Sequence, residues 1–166
     1  GDGLSNWNTS MVTDLHATFY GATSFTGDGL SNWDTSSVTT LLGTFNDATS
    51  FTGDGVSNWN TSSVTTLWHT FLGATSFTGD GVSNWDTSRV TNLKYTFNGA
   101  TLFNGDLSNW NTVRVTSLQS TFHRALDFNS NISNWDTSRV TTLYGTFGDA
   151  TSFTGDGVSN WDTSRV

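Results

Sequence analysis

Residues Gly53 to Thr78 read GDGVSNWNTSSVTTLWHTFLGATSFT, and the same string, lightly edited, begins at Gly1, Gly27 and Gly79 at a spacing of 26 residues. Two further copies start at Gly105 and Ser130, each one residue shorter, and a partial copy starts at Gly155. The units are therefore 1–26, 27–52, 53–78, 79–104, 105–129, 130–154 and the incomplete 155–166. A fixed period of this size is the mark of an array in which each unit packs against its neighbours. The missing residue comes each time from the opening Gly-Asp-Gly, which marks that segment as an outer loop.

Seven positions are apolar in nearly every unit, and in the third they are Val56, Trp59, Val64, Leu67, Phe71, Ala74 and Phe77. Their spacing of about three to five residues is neither strand alternation nor a long helix. We expect a turning coil with a short strand around 57–60, a second around 64–67 and a helical turn near 69–74. The predicted fold class is a repeat solenoid of short parallel β-strands with one helical turn per coil. At about 4.8 Å per coil the 6.5 units would extend roughly 30 Å. The core would be columns of like rings: Trp7, Trp33, Trp59, Trp85, Trp110, Trp135 and Trp161, and Phe19, Phe45, Phe71, Phe97, Phe122 and Phe147. A Thr rather than an apolar residue precedes each of these Phe residues, and its hydroxyl is expected to bond to backbone.

Composition supports this reading. Only 34 % of residues are hydrophobic and 12 % charged, values that without a pattern would suggest disorder, yet the eight Trp and twelve Phe sit almost entirely in register. Proline is absent, so every unit can offer its backbone amides to the next. A formal charge of −8 argues against nucleic acid as a partner. There is no cysteine for a disulfide or thiolate metal site. No apolar stretch approaches the roughly 18 residues that insert in a bilayer. The start at Gly1 without Met, the half unit ending at Val166 and the lack of an atypical capping repeat lead us to expect a piece of a longer array.

The string FTGDGVSNWDTSRVTNLKYTFNGATLFN, Phe77 to Asn104, resembles the bacterial surface repeat of pattern F-N-x-D-I-S-x-W-D-T-S-x-V-T-x-M-x-x-M-F-x-x-A. That repeat defines a family of unknown function abundant in mycoplasma surface lipoproteins, related in pattern to BspA-like leucine-rich repeats. The resemblance covers the whole chain. It implies a secreted or cell-surface protein with a leucine-rich-repeat-like solenoid and an adhesive or unknown role, and it supplies no catalytic residues. The chain departs from the pattern with Leu15, Leu41 and Leu67 at the first Met position and Thr18, Thr44 and Thr70 at the second.

In such an array any one repeat position becomes a row. Amide and carboxylate alternate along Asn8, Asp34, Asn60, Asp86, Asn111 and Asp136 before Asp162 breaks the rule, which keeps like charges from stacking. These residues read as turn caps or as a ligand row. A second acidic row, Asp2, Asp28, Asp54, Asp80 and Asp106, does not alternate; it either splays into water or bridges calcium, the one cofactor considered. Arg89, Arg114, Arg139 and Arg165 form a row expected to salt-link between coils or bind anions. Thr9, Thr35, Thr61 and Thr87 begin one hydroxyl row and Thr13, Thr39 and Thr65 another. Each row can bond along the stack, carry O-glycans, or bind ice, carbohydrate or a mineral. Asn8, Asn60 and Asn131 open glycosylation sequons. Trp68 stands outside the Trp column and could anchor a sugar or protein. His16, His69 and His123 occupy three different repeat positions, so stacking assembles no triad, and we expect no enzyme.

The expectation is an extracellular or cell-surface structural or adhesive repeat protein. Its partners would be copies of itself through the solenoid ends, with glycans or cell-surface molecules on its sides. A glycosylated fibre is one outcome. The alternative is a module binding ice, carbohydrate or calcium through Thr or Asp ladders.

Overall fold

The computed structural model describes residues 3–166. Successive repeats lie directly against one another, joined by two backbone ladders. In the first, alternate amides donate to the following repeat: Leu67 to Asn92, His69 to Lys94, Phe71 to Thr96 and Gly73 to Asn98, at 2.7–3.1 Å. The second runs the opposite way. Thr39 donates to Thr13, Thr65 to Thr39, Thr91 to Thr65, Thr116 to Thr91 and Thr141 to Thr116, each at 2.9 Å.

The amides between those of the first ladder close local turns instead, Thr70 onto Leu67, Leu72 onto His69 and Ala74 onto Phe71, all at 3.1 Å. Each residue in this segment therefore bonds alternately outward to the next repeat and inward to its own. The first and last of these turns take a positive φ at their third residue, His69 and Gly73, while the turn between them, with Phe71 third, does not. One row meets the need with Ala17, Gly43, His69, Tyr95, Ser120 and Gly145, the other with Gly21, Asp47, Gly73, Gly99, Arg124 and Asp149, all at φ between 51° and 70°. Outside glycine this conformation costs about 1–3 kcal/mol per residue, and the ladder it permits is what offsets that cost.

This differs from the expected helical turn near 69–74: a helix would direct these amides within the repeat and leave none for the neighbour. The strand expected at 57–60 is also replaced, by a turn in which the Trp59 amide donates to Val56 at 3.2 Å. Equivalent stretches form 3-10 turns at Leu4–Asn6, Leu30–Asn32 and Val82–Asn84. Around 64–67 the pairing reduces to isolated parallel bridges linking Asp14, Thr40, Thr66, Asn92 and Ser117 in sequence.

All seven apolar positions of the third repeat are buried, as are their counterparts in the second, fourth and fifth. Phe45, Phe71, Phe97 and Phe122 stack at 5.6 Å between consecutive centroids. A second Phe column packs beside them, with Phe71 and Phe77 4.1 Å apart within one repeat. Trp33, Trp59 and Trp85 run parallel at 6.2 and 6.3 Å. Offset parallel rings at this range are favourable. Each indole N–H is also satisfied by the preceding repeat, Trp59 donating to the Leu30 carbonyl at 3.3 Å and Trp85 to Val56 at 3.1 Å. Trp7, expected in the core, is instead 57 % exposed: Trp33 stacks on it, and among the described residues no second ring does. Phe147 and Trp161 at the other edge are partly buried.

Candidate functional site

Most repeated polar groups are engaged in holding the stack. Thr70 Oγ1 lies 2.8 Å from the Leu67 carbonyl and 2.9 Å from that of Leu41, so it ties its own turn to the preceding repeat. Thr96, Thr121 and Thr146 do the same. Thr35, Thr61 and Thr87 donate to the carbonyls of Asn60, Asp86 and Asn111 in the next repeat. With Thr9 they are 3–5 % exposed. That burial removes Thr9, Thr35, Thr61 and Thr87 as glycan acceptors. The exposed row bonds as well: Thr39, Thr65, Thr91, Thr116 and Thr141 each donate to the Thr carbonyl of the preceding repeat at 3.1–3.2 Å.

The Asn/Asp row caps turns. Asn60 Oδ1 accepts the Ser62 amide at 3.1 Å and its hydroxyl at 2.7 Å, and Asp34 accepts from Ser36 in the same way. The Ser36 hydroxyl and amide hold the Asp34 carboxyl below its ordinary range, and Ser88 and Ser138 do so for Asp86 and Asp136. At Asp136 the adjacent Asp162 pushes the other way, which is the repulsion that alternation avoids elsewhere in the row. Asn8, Asn60 and Asn131, the sequon residues, are exposed.

Asp28, Asp54 and Asp80 accept hydroxyls from Thr26, Thr52 and Thr78 of their own loops at 3.0 Å, and Asp106 accepts the Ser108 amide. Asp2 lies outside the described residues. Among the described residues no three carboxylate or imidazole groups converge on a point that could hold a metal ion. Among the described residues the expected salt links of Arg89, Arg114, Arg139 and Arg165 do not form. The ion pair found among the described residues is Arg124 with Asp149 at 3.4 Å, in a different row.

A third capping row was not anticipated. Asp14, Thr40, Thr66, Asn92, Ser117 and Thr142 each accept, through the side chain, the amide two residues on. The signal was present in the shared ability of Asp, Thr, Asn and Ser to do this, a likeness of chemistry that identity in the repeat conceals.

One residue beyond this row, past the Leu common to all six complete units, the repeat stops being a repeat. The next two positions read His16-Ala17, Leu42-Gly43, Trp68-His69, Lys94-Tyr95, Gln119-Ser120 and Tyr144-Gly145. Stacking makes these unlike residues neighbours. Trp68 is half-buried rather than exposed, its ring 5.0 Å from that of His69, with Lys94 Nζ 5.6 Å from its centroid. Lys94 also lies 5.3 Å from the centre of Tyr95, and Gln119 Nε2 donates to the Tyr95 hydroxyl at 3.0 Å. Burial and then the Lys94 charge push the His69 pKa down, favouring neutral imidazole. Further along the same side, Tyr95, Asn98, Ser120, His123, Arg124 and Tyr144 line an open groove of about 640 Å³.

The edge beyond the sixth repeat holds an apolar hollow of about 380 Å³ walled by Leu143, Phe147, Val158 and Trp161. The described residues contain no helix long and apolar enough to cross a membrane. No curated protein and no solved structure matches the chain. Family membership is clear from the repeat itself: the chain belongs to the family described as Mycoplasma protein of unknown function, DUF285, which matches residues 2–82 and again residues 78–166.

Proposed function

We propose that the chain is a solenoid segment of an extracellular or cell-surface repeat protein, structural or adhesive in role, that extends by end-to-end contact and performs no catalysis. The likeness to BspA-like leucine-rich repeats belongs to this reading. The observation that carries it is the direction of the first ladder. In that ladder the amides of each of the first five repeats donate to carbonyls of the next, while the second ladder donates the other way at the same junctions. The carbonyls of Asp14, His16, Thr18 and Tyr20 at one edge and the amides of Leu143, Gly145, Phe147 and Asp149 at the other hold the same places as the bonded groups within. Along the first ladder one edge thus accepts where the other donates, the second ladder has the reverse sense, and each edge also presents aromatic surface, Trp7 on the first and Phe147 and Trp161 on the second. Edges of opposite sense build open, head-to-tail arrays. Glycans on the exposed Asn8, Asn60 and Asn131 would limit sideways contact.

Sedimentation velocity over a hundredfold dilution series, with electron microscopy of the concentrated sample, tests the assembly. Growth along one axis with concentration is expected. A monomer at every concentration would end the end-to-end reading. Protease shaving of intact cells, read by mass spectrometry, tests the location, with release of peptides from this repeat expected.

A further inference from the structure

We infer that the lateral groove across the fourth, fifth and sixth repeats is a binding site for a neutral mono- or disaccharide. This gives the adhesive half of the proposal above a ligand class, and its test reads binding where the test above reads assembly, so either can fail alone.

The groove lies where the array departs from its own pattern. Rows that stack are spent on the stack, and a position that changes from repeat to repeat is free of that demand. Tyr144 is 75 % exposed, a flat apolar ring at the rim. Tyr95, two repeats away, also lines the groove, its hydroxyl held by Gln119 at 3.0 Å. An amide, Asn98, an imidazole, His123, and a hydroxyl, Ser120, line it with them. Together they can donate and accept in several directions. An aromatic face beside mixed donors and acceptors matches a sugar ring, which shows C–H groups on its faces and hydroxyls at its edge.

Two glycines give the groove its depth. Gly148 takes the position of Asn98 and His123, and a Cβ there would press on His123 Nδ1, 2.5 Å away. Gly145 takes the position of Tyr95 and Ser120, and a Cβ there would stand 3.1 Å from the Ser120 hydroxyl.

Charge selects a neutral ligand. Arg124 is already paired with Asp149, and the formal net charge of −8 disfavours anions overall, with Lys94 engaged over the Tyr95 and Trp68 rings. The groove crosses three repeats at about 4.8 Å each, a span suited to one or two sugar rings.

The test is a printed array of neutral and acidic mono- and disaccharides probed with the 166-residue chain, followed by saturation-transfer NMR on any sugar retained. Retention of neutral sugars is expected, with binding at least tenfold weaker in Tyr144→Ala and near normal in Tyr144→Phe. Because Tyr144 is exposed, its Ala variant should melt with the parent, which separates loss of binding from loss of fold. Tyr20→Ala removes an exposed ring in the first repeat and should bind as the parent does. An array with no retained sugar, retention of acidic sugars alone, or binding indifferent to Tyr144→Ala would each overturn the assignment.

Discussion

Trp7 and Trp59 occupy the same place in nearly the same unit, yet the first is 57 % exposed and the second 4 %. Phe19 and Phe71 differ in the same direction, at 9 % and 0 %. Residue type and local chain are shared, so the difference comes entirely from having a neighbour on one side or on two. A single repeat has no interior of its own. Burial belongs to the junctions, and stability should be counted junction by junction.

The largest expected effect tests that contrast directly. Trp59→Ala removes an indole buried between two others and one of the two donors to the Leu30 carbonyl, which keeps the Trp33 amide, and should cost about 3–5 kcal/mol in a denaturant titration. Trp7→Ala should cost about 1 kcal/mol or less. Equal losses would mean that the columns do not carry the fold.

Next comes the outer loop, where interior and edge glycines can be set against each other. At Gly79, φ is 101° and a Cβ would run into the backbone of Gly105, whereas at Gly155 nothing lies within 4 Å. Gly79→Ala should cost about 2–3 kcal/mol through overpacking between repeats, and Gly155→Ala about 1 kcal/mol from backbone strain alone.

Thr70→Val sharpens the comparison within the core. The hydroxyl is lost, but the Leu41 and Leu67 carbonyls keep the backbone amides of Thr44 and Thr70 as partners. A cost of about 1 kcal/mol follows. The corresponding change at the exposed Thr18, which bonds only its own turn, should cost less.

The smallest effect is one of pH. The carboxyls of Asp34 and Asp86 are held below their ordinary value of 3.8 by their serine partners. Their contribution is therefore present above that value and is lost as pH falls through the folded-state pKa values. Melting temperature below pH 3.8 should fall less steeply in Ser36→Ala and Ser88→Ala than in the parent, compared at equal pH because relief of the net negative charge acts on both.

How far these features could be read in the sequence depends on whether the repeat expresses them as one residue type. Val56, Trp59, Leu67 and Phe71 recur nearly unchanged, and the structure buries all of them. The left-handed row that makes the first ladder possible was hidden, because its members are Ala17, Gly43, His69, Tyr95, Ser120 and Gly145 and no common side chain announces a backbone angle. Periodicity reports which way side chains face, and the alternating aim of the amides leaves no trace in it. That is why a helical turn was expected where a ladder of turns exists. The Thr rows were legible as rows, but the side of the wall on which each lay was not: Thr61 is buried while Thr65, four residues on, is exposed. Nothing in the sequence alone brings Tyr95 and Tyr144 together, since they differ in repeat position and come to line one groove only through stacking across the fifth repeat.

The change of unit length after Gly79 has a consequence for how such chains vary. The fifth repeat gives up a residue in the outer loop while Phe97 and Phe122 keep their 5.6 Å separation, so small insertions and deletions there leave the columns in register. Whole units are as interchangeable. Excising residues 53–78 would join Thr52 to Gly79 and set Phe45 against Phe97, the same pair of surfaces that meets at every other junction. Repeat number is then a quantity that recombination between copies can raise or lower without redesigning anything, and the reach of the protein becomes adjustable in fixed steps.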